Sequence, residues 1–151
     1  MTVDEFIEAI QSGQGEQAAL QFVVYGGDVN APMTSSGLTA LHLAVEAENL
    51  PMIQALFNLG ADLEARDANG WTPLHRAVDL DLDTASQTTG WGDGDFLRTL
   101  SFRTTQLLIS FGADGAARSA DGRTPRDIAA GYGESVLGKY DEAVEQAQRI
   151  T

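Results

Sequence analysis

The sequence predicts an all-α fold: a solenoid of stacked helix–turn–helix repeats, about four units including the caps. Three observations predict it. The octapeptide Gly70-Trp71-Thr72-Pro73-Leu74-His75-Arg76-Ala77 recurs upstream as Gly37-Leu38-Thr39-Ala40-Leu41-His42-Leu43-Ala44. A looser copy, Gly122-Arg123-Thr124-Pro125-Arg126-Asp127-Ile128-Ala129, lies downstream. The first two copies start 33 residues apart and the next 52, which is 33 plus an insertion of 19. Finally, Gly60-Ala61-Asp62 returns as Gly112-Ala113-Asp114 and as Gly26-Gly27-Asp28. A fixed period of this size marks units that bury their apolar faces on one another.

Each copy opens on a Gly that permits a tight turn. A Thr two residues later is placed to cap a helix, and Pro73 and Pro125 then occupy the first helical position, where a missing N–H costs nothing. Leu74, Ala77 and Val78 fall at i, i+3 and i+4, as do Leu41, Ala44 and Val45, giving one apolar face per short helix. A second helix follows, from Leu50 to Leu59 in the first full repeat, with Met52, Ile53, Leu56 and Phe57 as its buried stripe and Gly60 as a left-handed cap. Helices this short need neighbours to be stable.

These motifs resemble the ankyrin-repeat family. Thr72-Pro73-Leu74-His75 with Ala77, the variant Thr39-Ala40-Leu41-His42, and the Gly-Ala-Asp helix ends carry the resemblance, which covers nearly the whole chain apart from the insertion. It implies units of two antiparallel helices with a β-hairpin finger and a non-catalytic, protein-binding role. It also implies that Thr39, His42, Thr72, Pro73, His75, Thr124 and Pro125 are structural, with each His bonding its own turn and the neighbouring repeat.

In order, residues 1–33 read as an N-terminal capping repeat. Residues 4–11 form a helix with an acidic first turn, and residues 16–25 form its partner, with Ala19, Leu20, Val23 and Val24 apolar. Residues 34–66 form a full repeat in which Ala40 and Glu48 stand where the family has Pro and Gly. Residues 67–118 form a repeat carrying the insertion, and residues 119–151 a closing repeat. There, Arg126 and Asp127 replace the buried Leu and the His, as a solvated outer face requires. A last helix runs over 134–150, with Val136, Leu137, Tyr140, Val144 and Ala147 on one side and Gly138 inside it.

The insertion, about residues 80–99, is polar and Gly-rich and reads as a loop. Three readings stay open. Trp91 could anchor a partner while Asp93 and Asp95 meet its cations; Trp91 could fold back on its own repeats; or the loop could take calcium. Asp79, Asp81 and Asp83 have the 1-3-5 spacing of a calcium loop, but position 6 is Thr84 and position 12 is Gly90, where such a loop needs Gly and Glu.

Charge is one-sided. Residues 1–65 carry nine acidic side chains and no Lys or Arg, and the net charge of the chain is -13. Such a surface repels phosphate backbones and attracts basic partners. With no cysteine, no basic leader and no long apolar run, a cytoplasmic protein outside the membrane is expected. No nucleophile–base pairing and no phosphate loop point to an enzyme, no metal-ligand spacing is present, and no cofactor is expected.

The resemblance places the partner-binding surface on the finger tips and inner helices. The matching positions are Ser35, Ser36 and Leu38; Ala68, Asn69 and Trp71; Ser119, Ala120 and Arg123; and Glu46, Ala47 and Asp79. Trp71 is the foremost of these, with packing onto the next finger as its alternative role. The expected function is binding of a basic protein by a chain that is monomeric when free. A compact acidic binder also resembles the immunity proteins that bacteria pair with toxins, which implies an inhibitor occluding a basic active site such as a nuclease's. A general scaffold or regulatory subunit is the alternative.

Overall fold

The computed structural model describes residues 1–89 and 95–150, with side chains at all of these but 88 and 89. The chain divides into two compact units, residues 1–73 and 74–151. Among the described residues, all regular structure is helical.

In the first unit, α1 (Val3–Gln11) opens with a capping box: Thr2 Oγ1 accepts the Glu5 N–H, and the Glu5 carboxylate accepts the Thr2 N–H at 2.7 Å. Those bonds hold the exposed Glu5 carboxyl below its ordinary range. Helix α2 (Glu16–Val24) follows, and Phe6 and Phe22 stack with ring centroids 4.2 Å apart. Helices α3 (Ala40–Glu46) and α4 (Leu50–Asn58) make the next pair; α1 packs on α3, and α2 on α4. Leu41, Val45, Met52, Ile53 and Leu56 are fully buried between them.

Polar bonds tie one repeat to the next. Asn49 caps α4 by accepting the Met52 N–H, and its Nδ2 donates to the carbonyls of Ile10 and Gln14, at 3.0 and 2.7 Å. Asn30 bridges the later Gly-Ala-Asp turn, donating to the Gly60 carbonyl and accepting the Asp62 N–H.

Glu48 is the one described non-glycine residue at positive φ, 51°. Its N–H closes on the Val45 carbonyl and the Asn49 N–H on the Ala44 carbonyl, a helix ending that normally uses Gly. A side chain there costs roughly 1–2 kcal/mol. After the larger unfolded-state entropy of Gly is subtracted, Glu48→Gly is expected to stabilise the chain by about 0.5–1 kcal/mol. A higher urea midpoint at unchanged m-value checks this.

In the second unit, α5 (Pro73–Thr89) is 17 residues long and is followed by α6 (Phe96–Thr99) and α7 (Arg103–Ser110). Helices α8 (Pro125–Ala130) and α9 (Glu134–Ile150) close the chain, with α9 packed on both α7 and α8. Phe102 meets Tyr140 edge-on at 5.6 Å, and burial pushes the Tyr140 phenol up to about 12. The solvated replacements in α8 find polar work: Asp127 completes a capping box with Thr124, and Arg126 pairs through two nitrogens with Asp141.

Two expectations are corrected here. The insertion does not begin as a loop at residue 80, because α5 continues to Thr89. Val78, Leu82, Ala85 and Ser86 are buried along it at helical spacing. Asp81, among the acidic residues read as loop, is 6% exposed and accepts from the Thr105 N–H and hydroxyl, at 3.1 and 2.7 Å. The fingers, in turn, carry no strand ladder among the described residues; they are tight turns whose arms are too short for one.

Candidate functional site

The finger tips of the first unit are built by turn chemistry. In the first, the Gly37 N–H closes on the Thr34 carbonyl and the Met33 N–H on the Leu38 carbonyl. In the second, the Gly70 N–H closes on the Asp67 carbonyl while buried Asp67 accepts the N–H groups of Asn69 and Trp71, at 2.8 and 3.0 Å. The Ala68 N–H then donates to the Ser36 carbonyl at 2.9 Å and joins the two tips. Gly37 holds φ 78°, and a Cβ there would meet the Ala68 backbone nitrogen at 3.2 Å, so the contact between tips needs glycine.

His42 fixes this arrangement from below. It is fully buried; its Nδ1 takes the Thr39 N–H at 3.2 Å and lies 2.9 Å from the Thr39 hydroxyl. That assigns the proton to Nε2, which donates to the Trp71 carbonyl at 2.9 Å. His75 makes the corresponding reach in the second unit, 2.8 Å from the Arg123 carbonyl. Thr39 caps α3, Thr124 caps α8, Thr72 is buried before α5, and Pro73 and Pro125 open their helices.

Ser35, Ser36, Ala68 and Asn69 are exposed together on the joined tips, Trp71 is half-buried beside them, and Glu46 and Ala47 are exposed at the end of α3. Leu38 does not belong in this set. It is 8% exposed, because the residue before the capping Thr39 turns inward where the finger meets its helix. The surroundings are acidic: Arg66 is the sole cation of residues 1–73, against ten carboxylates, and its Nη1 bonds the Gly70 carbonyl.

In the second unit, Asp95 is exposed and faces Arg98 at 3.9 Å, while Arg123 is exposed and paired with Asp121 at 2.8 Å. Trp91 and Asp93 lie outside the described residues. Helix α5 also dissolves the calcium spacing, since residues two apart on a helix point to different faces. Asp79 and Asp83 share one face, and Asp81 turns inward to Thr105.

Asp79 is half-buried, and burial, then the Asp83 charge, push its carboxyl above its ordinary range against the pull of Arg76 and Arg123. A raised folded-state pKa means that the ionised form opposes folding at neutral pH, and that this opposition fades as pH falls through the raised pKa. Asp79→Asn is therefore expected to raise the urea midpoint near neutral pH. The gain should shrink towards nothing as pH falls to about 4 and below.

A family model described as ankyrin repeats, in three copies, matches residues 6–86. The chain belongs to the ankyrin-repeat family. Among ankyrin-bearing relatives, it is 35% identical over 123 residues to protein phosphatase 1 regulatory subunit 27 of Homo sapiens, covering 82% of this chain and 67% of that protein. It is 35% identical over 129 residues to tyrosine-protein kinase HTK16 of Hydra vulgaris, covering 75% of this chain and 17% of the kinase. A shorter stretch, 57 residues, is 50% identical to the nuclear factor NF-kappa-B p105 subunit of Gallus gallus, covering 37% of this chain and 6% of that protein. Ankyrin repeats make the chain a protein–protein interaction module.

Proposed function

We propose that this chain is a non-catalytic regulatory module that holds a basic protein segment on the joined finger tips of its first unit. One observation carries the reading: hydrogen-bonded, exposed tips stand on a unit whose sole Lys or Arg, Arg66, is already bonded to its own turn. Ser35, Ser36 and Asn69 offer polar contacts there, Trp71 offers apolar area, and Glu46 adds an exposed carboxylate at the end of α3. Similarity to a phosphatase regulatory subunit favours regulation over passive scaffolding. The narrower version, an inhibitor that neutralises a toxin or nuclease, rests on compact size and charge. The relatives named above are eukaryotic and lend it nothing. A cytoplasmic setting and a monomeric free state go with the proposal.

The test is affinity capture on the immobilised chain at about 0.05 M salt, eluted at about 0.5 M. A basic partner released by salt supports the reading, provided that Trp71→Ala weakens its binding by about 2 kcal/mol. A neutral or acidic partner that salt does not release contradicts it.

A further inference from the structure

The outer side of α2 is apolar where a solvated cap would be polar. Its buried residues are Ala18, Ala19 and Phe22, which leaves Leu20, Val23 and Val24 at 44, 37 and 79% exposure. This rotates the stripe expected from sequence and turns three large aliphatic side chains to solvent. Among the described residues, five of the seven exposed large hydrophobic side chains lie within residues 3–25, so apolar exposure is concentrated at this end. The second helix of the closing repeat, α9, exposes Glu134, Asp141, Glu142, Glu145 and Gln146 instead, as a repeat facing water requires.

Both ends of the stripe are negative. Glu16 stands one helical step before Leu20 on the same side, at i and i+4. At the other end, α2 has no basic residue in its last turn, so its negative dipole end is uncompensated, and the exposed Asp28 follows. Tyr25, next in sequence, borders an open groove of about 350 Å³ with Val3, Phe22 and Met33.

We propose that this stripe is a second docking surface, distinct from the fingers, and that its occupant is an amphipathic helix with basic ends. Three aliphatic side chains at i, i+3 and i+4 form a ridge that a second helix complements. Glu16 and Val24 are eight residues apart, so a partner needs about two turns of apolar face, roughly 12 Å, between its cations. A second copy of this chain is disfavoured, since it would bring Glu16 and Asp28 against like charges.

The test uses the full chain and a labelled, stapled helical peptide with leucines at i, i+3, i+4 and i+7 and two lysines at each end. Its counterpart carries glutamates in place of the lysines. The lysine peptide is expected to bind, and Leu20→Ser with Val24→Ser to weaken it by about ten-fold or more. Glu16→Lys, which leaves the stripe intact, is expected to weaken it several-fold and to flatten its salt dependence. All three positions are exposed, so circular dichroism should be unchanged. The proposal fails if the glutamate peptide binds equally well or the serine substitutions leave binding unaltered. It also fails if the chain sediments as a dimer that Val24→Ser dissociates, which would make a second copy the occupant.

Discussion

His42→Ala is expected to destabilise the first unit by about 3 kcal/mol. The imidazole is fully buried and serves two partners at once, the Thr39 N–H on one side and the Trp71 carbonyl on the other. Alanine leaves the Thr39 N–H unsatisfied in a buried position and opens a cavity where the ring stood. The Trp71 carbonyl keeps the Asp67 N–H, so its loss is partial. A fall in urea midpoint measures the total. Hydrogen exchange locates it: amides of residues 67–71 should exchange faster in the variant than those of α1. His42→Gln, which can reach only one partner, should recover part of the loss. The finger tips depend on this side chain for their register, so the variant should also bind its partner more weakly than stability alone explains.

The second large effect is expected at Asp81. Phe102, the N-cap of α7, has no capping side chain, and the buried Asp81 carboxylate supplies the cap from α5 by taking the N–H and hydroxyl of Thr105. Asp81→Ala is expected to cost about 3 kcal/mol, since two charge-assisted bonds are lost and two buried donors are left. Thr105→Val should cost less, about 1–2 kcal/mol, because it removes only the hydroxyl bond and leaves the backbone N–H on the carboxylate. The double variant should be less destabilised than the sum of the two, and a thermodynamic cycle reads that coupling directly. Additive losses would show that Asp81 and Thr105 act independently.

The repeat architecture was legible because it is written in local chemistry. Thr-Pro at a helix start and Gly at a turn act within a few residues, and their recurrence set the period. Thr2 and Glu5 spell a capping box that could have been read in the same way. The insertion misled for a physical reason. Its polar, Gly-rich composition reads as a loop and outweighs the stripe of Val78, Leu82 and Ala85, and nothing local marks Asp81 as buried. That burial depends on Thr105, 24 residues away, and no local pattern carries it. In α2, the sequence offers two apolar stripes, one with Phe22 and one with Leu20, Val23 and Val24. Only packing on α4 and the Phe6 stack decide between them. Among the site residues, exposure separated Ser35, Ser36, Ala68 and Asn69 from Leu38, which the family resemblance had grouped with them as finger positions.

The most direct measurement of the central claim is an amide and indole chemical-shift map of the labelled chain on titration with its captured partner. The account predicts shifts at Ser35, Ser36, Ala68, Asn69 and the Trp71 indole, diminishing as salt is raised. Shifts confined to α7 and α9, with the fingers unmoved at low salt, would contradict it.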